Sequence, residues 1–177
     1  MLATGRALRR ILDGLYLAGG VIAALFMIAI LAIIVLQMLA RWTGMVFPGA
    51  TDYAGYSMAA ASFFAFAYAL NHGAHIRVSI LLNALGTRRR WLEVWCFAAG
   101  AVTTAFFATY AVKGTFLSWK LNDISQGQDA TPMWIPQLAM SAGTLLLAIC
   151  FLDHLVRLVV TGSHGIRADL IDQSHGE

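Results

Sequence analysis

Residues 15–40 read LYLAGGVIAALFMIAILAIIVLQMLA, a stretch without a single charged side chain. As a helix that rises about 1.5 Å per residue, it would be longer than the roughly 30 Å hydrocarbon layer of a membrane. It therefore predicts a membrane-spanning helix with some tilt or overhang. Arg6, Arg9 and Arg10 also suggest a cleaved signal peptide, but the apolar part of such a peptide usually has about 7–15 residues. We expect the segment to be retained.

Three further apolar stretches have the length of a membrane span: residues 53–71, 92–112 and 133–152, of which the second is interrupted only by Glu93. Over the whole chain, 59% of residues are hydrophobic and 12% are charged, whereas a soluble domain carries about 25% charged residues. The chain therefore lacks the charged shell that a soluble domain needs. These features predict an all-α membrane protein with four transmembrane helices.

Short amphipathic helices at the membrane surface are predicted beside the spans. Within residues 1–14, apolar side chains recur at helical spacing and charged side chains occupy the other faces, which is typical of an interfacial helix. A second such helix is predicted over residues 78–85, where Ser79 would cap its start; a solvated loop is the alternative. The predicted organisation is an N-terminal interfacial helix (1–14), a four-helix membrane domain (15–160) and a cytoplasmic tail (161–177).

The basic residues predict the orientation in the membrane. Nine of them lie in the N-terminal arm, the second connection and the tail, and only three (Arg41, Lys113 and Lys120) lie in the other two connections. Because cytoplasmic connections carry the excess of Lys and Arg, both termini should be cytoplasmic. Basic and aromatic residues at the span ends are predicted to anchor the protein in the lipid headgroups: Arg41, Trp42, Arg88, Arg89, Arg90, Trp91, Trp119 and Trp134.

No catalytic residue, metal site or cofactor site is predicted. No predicted span has a charged residue near its centre, where a carrier holds its substrate and ions. His72, His75 and His154 lie at span ends, whereas haem ligands of a membrane bundle are buried within helices and paired across them; hydrogen bonds to headgroups or backbone are expected instead. Cys96 and Cys150 are interpreted as packing residues. The scattered basic residues argue against nucleic acid as a partner.

Small residues recur four apart on the predicted spans, as they do in tightly packed membrane helices. On the second span the row is Ser57, Ala61, Ala65 and Ala69. Shorter rows occur on the third span (Gly100, Thr104, Ala108) and on the fourth (Ala139, Gly143). The rows predict a packed bundle and indicate no particular function.

Several motifs occur within this four-span frame: QMLARW at 37–42, GATDYAGY at 49–56, NHGAHIRV at 71–78, SQG at 125–127 and PMWIPQ at 132–137. In this order, the chain resembles the small membrane subunit (DctQ-type) of tripartite ATP-independent periplasmic (TRAP) transporters over roughly residues 15–160. It departs from many members in having a single acidic residue, Asp52, before the second span, and Ser79 after the Ile-Arg-Val run.

The resemblance implies a non-catalytic scaffold subunit in the bacterial inner membrane, without a cofactor. Its partners would be a large TRAP membrane subunit, which moves an organic acid anion with sodium, a periplasmic substrate-binding protein and membrane lipids. A self-sufficient four-helix transporter and the membrane anchor of a redox complex are the alternatives. The hypothesised contacts with the large subunit or the binding protein are Asp52, Ser57, Ala61, Ala65, Ala69 and Gln137.

Overall fold

Four long helices make up a computed structural model of the chain, which describes residues 2–72 and 89–161, with side chains for 9–72 and 91–160. The helices are α1 (Leu2–Trp42), α2 (Ala50–Asn71), α3 (Arg89–Leu121) and α4 (Trp134–Thr161). This confirms the predicted all-α class for the described ranges. The predictions for His75, the 78–85 helix, Arg88 and the 162–177 part of the tail lie outside these ranges.

Three of the helices extend well beyond the predicted spans. α1 is continuous from Leu2, so the predicted boundary at residue 14 is not a break in the helix. α3 continues past residue 112 to Leu121, and α4 past residue 152 to Thr161. The predicted limits followed hydropathy, but backbone hydrogen bonds hold a helix together equally well where it carries polar side chains. An interfacial position for residues 1–14 stays a prediction.

Within the described residues, three segments are long and apolar enough to cross a membrane: Arg9–Trp42 of α1, Trp91–Leu121 of α3 and Trp134–Val160 of α4. The second predicted span is not among the segments found in the described residues, although α2 has 22 residues, or about 33 Å of helix. Its polar side chains lower its mean hydropathy. The fourth membrane span is therefore not confirmed. The polar side chains that lower the mean hydropathy of α2 include Tyr53, Tyr56, Ser57, Ser62 and Tyr68.

The helices pack in the order α1–α2–α4–α3. α1 packs along α2, α2 along α4 and α4 along α3, whereas α1 touches α4 only marginally. The described helices of the predicted packed bundle thus form an open row, with α1 and α3 at its edges. In the most apolar stretch of each of these helices, only 11% of the residues of α1 and of α3 are buried, against 39% of those of α4. The two edge helices thus expose most of their apolar surface.

The core lies between α1, α2 and α4. Tyr16, Ala67, Leu70, Leu146 and Cys150 form its buried cluster. Gly143 of α4 lies against the backbone of Phe63 on α2, so these helices approach closely at a small residue, as membrane helices generally do. The rows predicted from sequence are therefore used at least in part for packing within the chain.

Candidate docking surface at the loop end

Two connections meet at the end of the molecule where α1 and α3 stop and α2 and α4 start: residues 43–49 and 122–133. We call this the loop end. The Tyr56 hydroxyl of α2 donates a hydrogen bond to Ser125 Oγ at 2.7 Å, and Thr131 Oγ1 donates to the Tyr53 hydroxyl at 3.4 Å. Within the longer connection, the Ser125 amide donates to the Thr131 carbonyl at 2.8 Å. These bonds hold residues 122–133 against the start of α2.

Two carboxylates converge on Gly127 at this end. A Cβ on Gly127 would lie 2.5 Å from Oδ2 of Asp52 and 2.9 Å from Oδ1 of Asp129, so a side chain at this position would require the carboxylates to move. Asp52 belongs to the first turn of α2, where the helix dipole favours negative charge. The single acidic residue seen in the sequence before the second span therefore has a second carboxylate beside it, supplied by the other connection.

Neighbouring hydroxyl groups stabilise the charged form of Asp129. The Thr131 hydroxyl has the largest influence and lowers the pKa of this carboxyl; partial burial raises the pKa, and Ser125 and Tyr56 lower it further. Among the described residues, no hydroxyl reaches ideal hydrogen-bond geometry to either Asp129 oxygen. The influence on the pKa is therefore that of nearby oriented dipoles.

An open groove of about 420 Å³ lies beside the two carboxylates, between the end of α1, the start of α2 and the longer connection. Side-chain amides and the Asp52 carboxylate give it a polar and negative character. Such a surface suits hydrogen-bond donors and cationic side chains of another protein. Within the described ranges, no group of His, Cys, Asp and Glu side chains is arranged to hold a metal ion. The groove is lined by Gln37, Phe47, Gly49, Ala50, Thr51, Asp52, Gln126, Gly127 and Gln128.

The hypothesised contact residues do not form one surface. Asp52 lies at the loop end, and the Gln137 carbonyl there accepts a hydrogen bond from Thr115 of α3 at 3.3 Å. The Ser57 hydroxyl donates to a carbonyl of its own helix. Ala61 is only 5% exposed, so its side chain is covered by this chain itself. Ala65 and Ala69 are partly buried.

The predicted anchors lie at both ends of the molecule. Arg41, Trp42 and Trp119 are exposed at the loop end, where Trp134 is partly buried, and Trp91 is exposed at the opposite end. Arg89 and Arg90 begin α3. The tryptophans thus mark two levels separated by the length of the helices.

A polar cluster at the opposite end was missed by the sequence analysis. Because α4 extends past the predicted end of the fourth span, Asp153 and Arg157 lie inside the helix and pair at 2.7 Å. His154 is 0% exposed and packs beside Phe97 at a ring distance of 6.0 Å. This burial rules out the headgroup contact that was one of the two expectations for His154, and a hydrogen bond to the backbone stays a prediction. The four-residue spacing of Asp153 and Arg157 was the available signal.

The other histidine and cysteine predictions have mixed outcomes. His72 lies 2.9 Å from the Tyr68 carbonyl through Nδ1, which confirms the expected backbone contact. Cys150 is buried, and its thiol donates to the Ala67 carbonyl at 3.6 Å, as expected of a packing residue. Cys96 is exposed, so its assignment as a packing residue within the chain is wrong. It lies on the edge helix α3, which among the described helices packs along α4.

Comparison with known families gives one match. The model of the family described as "Tripartite ATP-independent periplasmic transporters, DctQ component" matches residues 30–161. No curated protein and no solved structure is significantly similar to the chain. The match covers the end of α1, the whole loop end and all of α2, α3 and α4.

Proposed function

Because the chain belongs to the DctQ component family of tripartite ATP-independent periplasmic transporters, we propose that it is the small scaffold subunit of a TRAP importer. In this proposal it supports a large membrane subunit, which carries an organic acid anion into the cell together with sodium. A periplasmic binding protein delivers the anion. The chain itself has no catalytic role and holds no cofactor.

The open row of helices is the observation that supports a scaffold role best. Its edge helices α1 and α3 expose most of their apolar surface, so a large subunit can pack against one face of the row while lipid covers the other. The charged residues of the three candidate spans lie in their outer thirds, away from the mid-membrane position of ion and substrate sites in carriers. Transport would therefore take place in the partner.

A scaffold matters mechanically if one part of the large subunit moves across the membrane. The stationary part must then resist being carried along, and a rigid neighbour adds lipid-facing area and interfacial anchors to it. The tryptophans at the two levels, together with the arginines at the start of α3, would fix the height of this neighbour. Removing Arg88, Arg89 and Arg90 together should weaken insertion or association with anionic lipid; unchanged behaviour would contradict the role of that cluster.

In the proposed orientation the protein crosses the bacterial inner membrane with both termini in the cytoplasm, and α2 crosses beside the helices that flank it. The loop end then faces the periplasm. Cysteines introduced between Asn122 and Ala130, in a variant lacking exposed Cys96, should react with an impermeant reagent from the periplasm. A cysteine near Gly165 should not react. The reverse pattern would overturn this orientation.

The contacts of the proposed complex divide between two regions. Asp52, which lines the negative groove, and Gln137, also at the loop end, would meet the large subunit or the binding protein. The row Ser57, Ala61, Ala65 and Ala69 would permit close packing, with the buried Ala61 acting through the fit of α2 to its neighbours. Replacing Ala61 and Ala65 together by leucine should reduce co-purification with the large subunit and reduce uptake. Full retention of both would count against this contact.

Sodium-driven uptake into liposomes tests the whole proposal. With the large subunit, this chain and the binding protein present, uptake of the anion should require all three proteins. This chain alone should give none. Uptake by this chain alone would establish a self-sufficient transporter and overturn the scaffold role.

A further inference from the structure

A narrow apolar groove of about 360 Å³ opens on the surface between α3 and α4, near the loop end. It runs along the axes of both helices, at the outer edge of the row. α3 supplies one wall and α4 supplies the other. The groove is lined by Val112, Thr115, Phe116, Trp119, Trp134, Leu138 and Ser141.

The floor of the groove has no need of a polar ligand. Thr115 Oγ1 and Ser141 Oγ lie 2.7 Å apart across the two helices, both in buried residues. Thr115 Oγ1 also donates towards the Ala111 carbonyl at 2.9 Å and the Gln137 carbonyl at 3.3 Å. The hydroxyl groups therefore satisfy one another and the backbone, which leaves an apolar surface for an apolar occupant.

The dimensions favour a single extended chain. From Val112 to Trp119 the groove follows eight residues of helix, which is about 10 Å from the first Cα to the last and fits within the roughly 15 Å of hydrocarbon in one leaflet. An acyl chain that lies along the groove can therefore contact both walls within one leaflet.

The groups at the mouth match the polar part of a phospholipid. Trp119 and Trp134 stand on opposite walls near the helix ends, and indole rings prefer the level of lipid ester and headgroup atoms. Lys120 follows Trp119 in the last turn of α3 and is exposed, so its ammonium group can meet a phosphate. We propose that this groove binds one acyl chain of a phospholipid, with the phosphate beside Lys120. Lipid binding in this groove requires only that α3 and α4 cross the membrane, and it does not depend on the role of the subunit in transport.

The test is native mass spectrometry of the full chain in detergent, titrated with phosphatidylglycerol. We expect one lipid to bind per chain, and Leu138→Trp, which fills the groove, to weaken this binding at least about tenfold. Leu145→Trp is the matched control: Leu145 is on the same helix, outside the groove, and is 50% exposed against 48% for Leu138. It should retain wild-type affinity. Lys120→Gln should weaken binding several-fold, whereas Lys113→Gln should not.

A second pair on α3 keeps the inference testable if Leu138→Trp does not fold. Val112→Phe narrows the groove, and Val102→Phe places the same side chain at an exposed position outside it. Equal lipid binding by wild type and both groove variants would overturn the proposal. A cross-link from position 138 to another protein in the assembled transporter would also overturn it, because a protein segment would then occupy the groove.

Discussion

Gly143 of α4 lies directly against the backbone of Phe63 on α2. A Cβ at position 143 would be 2.6 Å from the Phe63 carbonyl carbon and 2.7 Å from its oxygen. Backbone atoms cannot rotate out of the way as a side chain can, so only glycine permits this approach. The contact joins the two inner helices of the row, through which the edge helices α1 and α3 are connected.

Replacing Gly143 by alanine should therefore weaken the protein. We expect the free energy of unfolding to fall by about 1–3 kcal/mol, the usual cost of overpacking, measured by thermal unfolding of the full chain in detergent. Gly114→Ala on α3 is the control, since among the described residues its added Cβ meets no atom within 4 Å outside the neighbouring backbone of its own helix; it should be neutral or stabilising by up to about 1 kcal/mol. Equal unfolding of the two variants would contradict the close contact.

Tyr16 connects α1 to the core. It is 0% exposed and packs with Ala67, Leu146 and Cys150, so Tyr16→Ala leaves a cavity. We expect a loss of about 3–5 kcal/mol, as for other buried aromatic residues. Leu17→Ala, at an exposed position on the same helix, should cost much less. If both changes lower the unfolding midpoint equally, α1 is not held by this core.

The Asp153–Arg157 pair should contribute to stability because it is well shielded. Both side chains are 15% exposed, and removing one partner of a buried pair costs about 3–5 kcal/mol. The more exposed Arg9–Asp13 pair has the same spacing at 3.8 Å and should contribute less than about 1 kcal/mol. Asp153→Asn and Asp13→Asn are therefore matched variants for thermal unfolding. A larger effect of Asp13→Asn would refute this ranking.

Hydropathy predicted the helices well because lipid-facing helices must be apolar along their length. α1 and α3 lie at the edges of the row, and each contains a segment that is long and apolar enough to cross a membrane. α2 lies between α1 and α4 and is rich in alanine, serine and tyrosine rather than leucine. The small residues allow close packing, and the polar ones lower the mean hydropathy. The end of α4 was misplaced because the predicted span stopped before the charged residue Asp153. In the structure Asp153 pairs with Arg157, so the helix continues through both residues.

The loop end was predictable only in part. Asp52 was identified through the family resemblance, as the single acidic residue before the second span, but nothing in the sequence links it to Asp129, which is far along the chain. The two meet only because α2 and α4 are neighbours in the row, so that residues 122–133 fold over the start of α2. The Tyr56–Ser125 hydrogen bond has the same origin. The sequence of residues predicts where the helices form, whereas the surface of the loop end depends on which helices pack side by side.

Asp129 should make the loop end sensitive to acid. Its pKa in the folded protein is lowered, chiefly by the Thr131 hydroxyl, so its stabilising contribution is fully present above the ordinary aspartate pKa of about 3.9. That contribution is lost as the pH falls through the lowered value in the folded state. Below about pH 3.9, we expect faster amide hydrogen exchange in residues 125–131, after correction for intrinsic rates.

Asp129→Asn separates this effect from general acid unfolding. The amide cannot ionise, so exchange in residues 125–131 should already be fast at neutral pH and should change little on acidification. Asp123→Asn, in the same connection, removes a carboxylate at an exposed position and should keep the wild-type response. The three proteins should show the same exchange in the second half of α4, whose backbone bonds are distant from the loop end. An acid response of the Asp129→Asn variant as large as that of the wild type would show that another group controls the loop end.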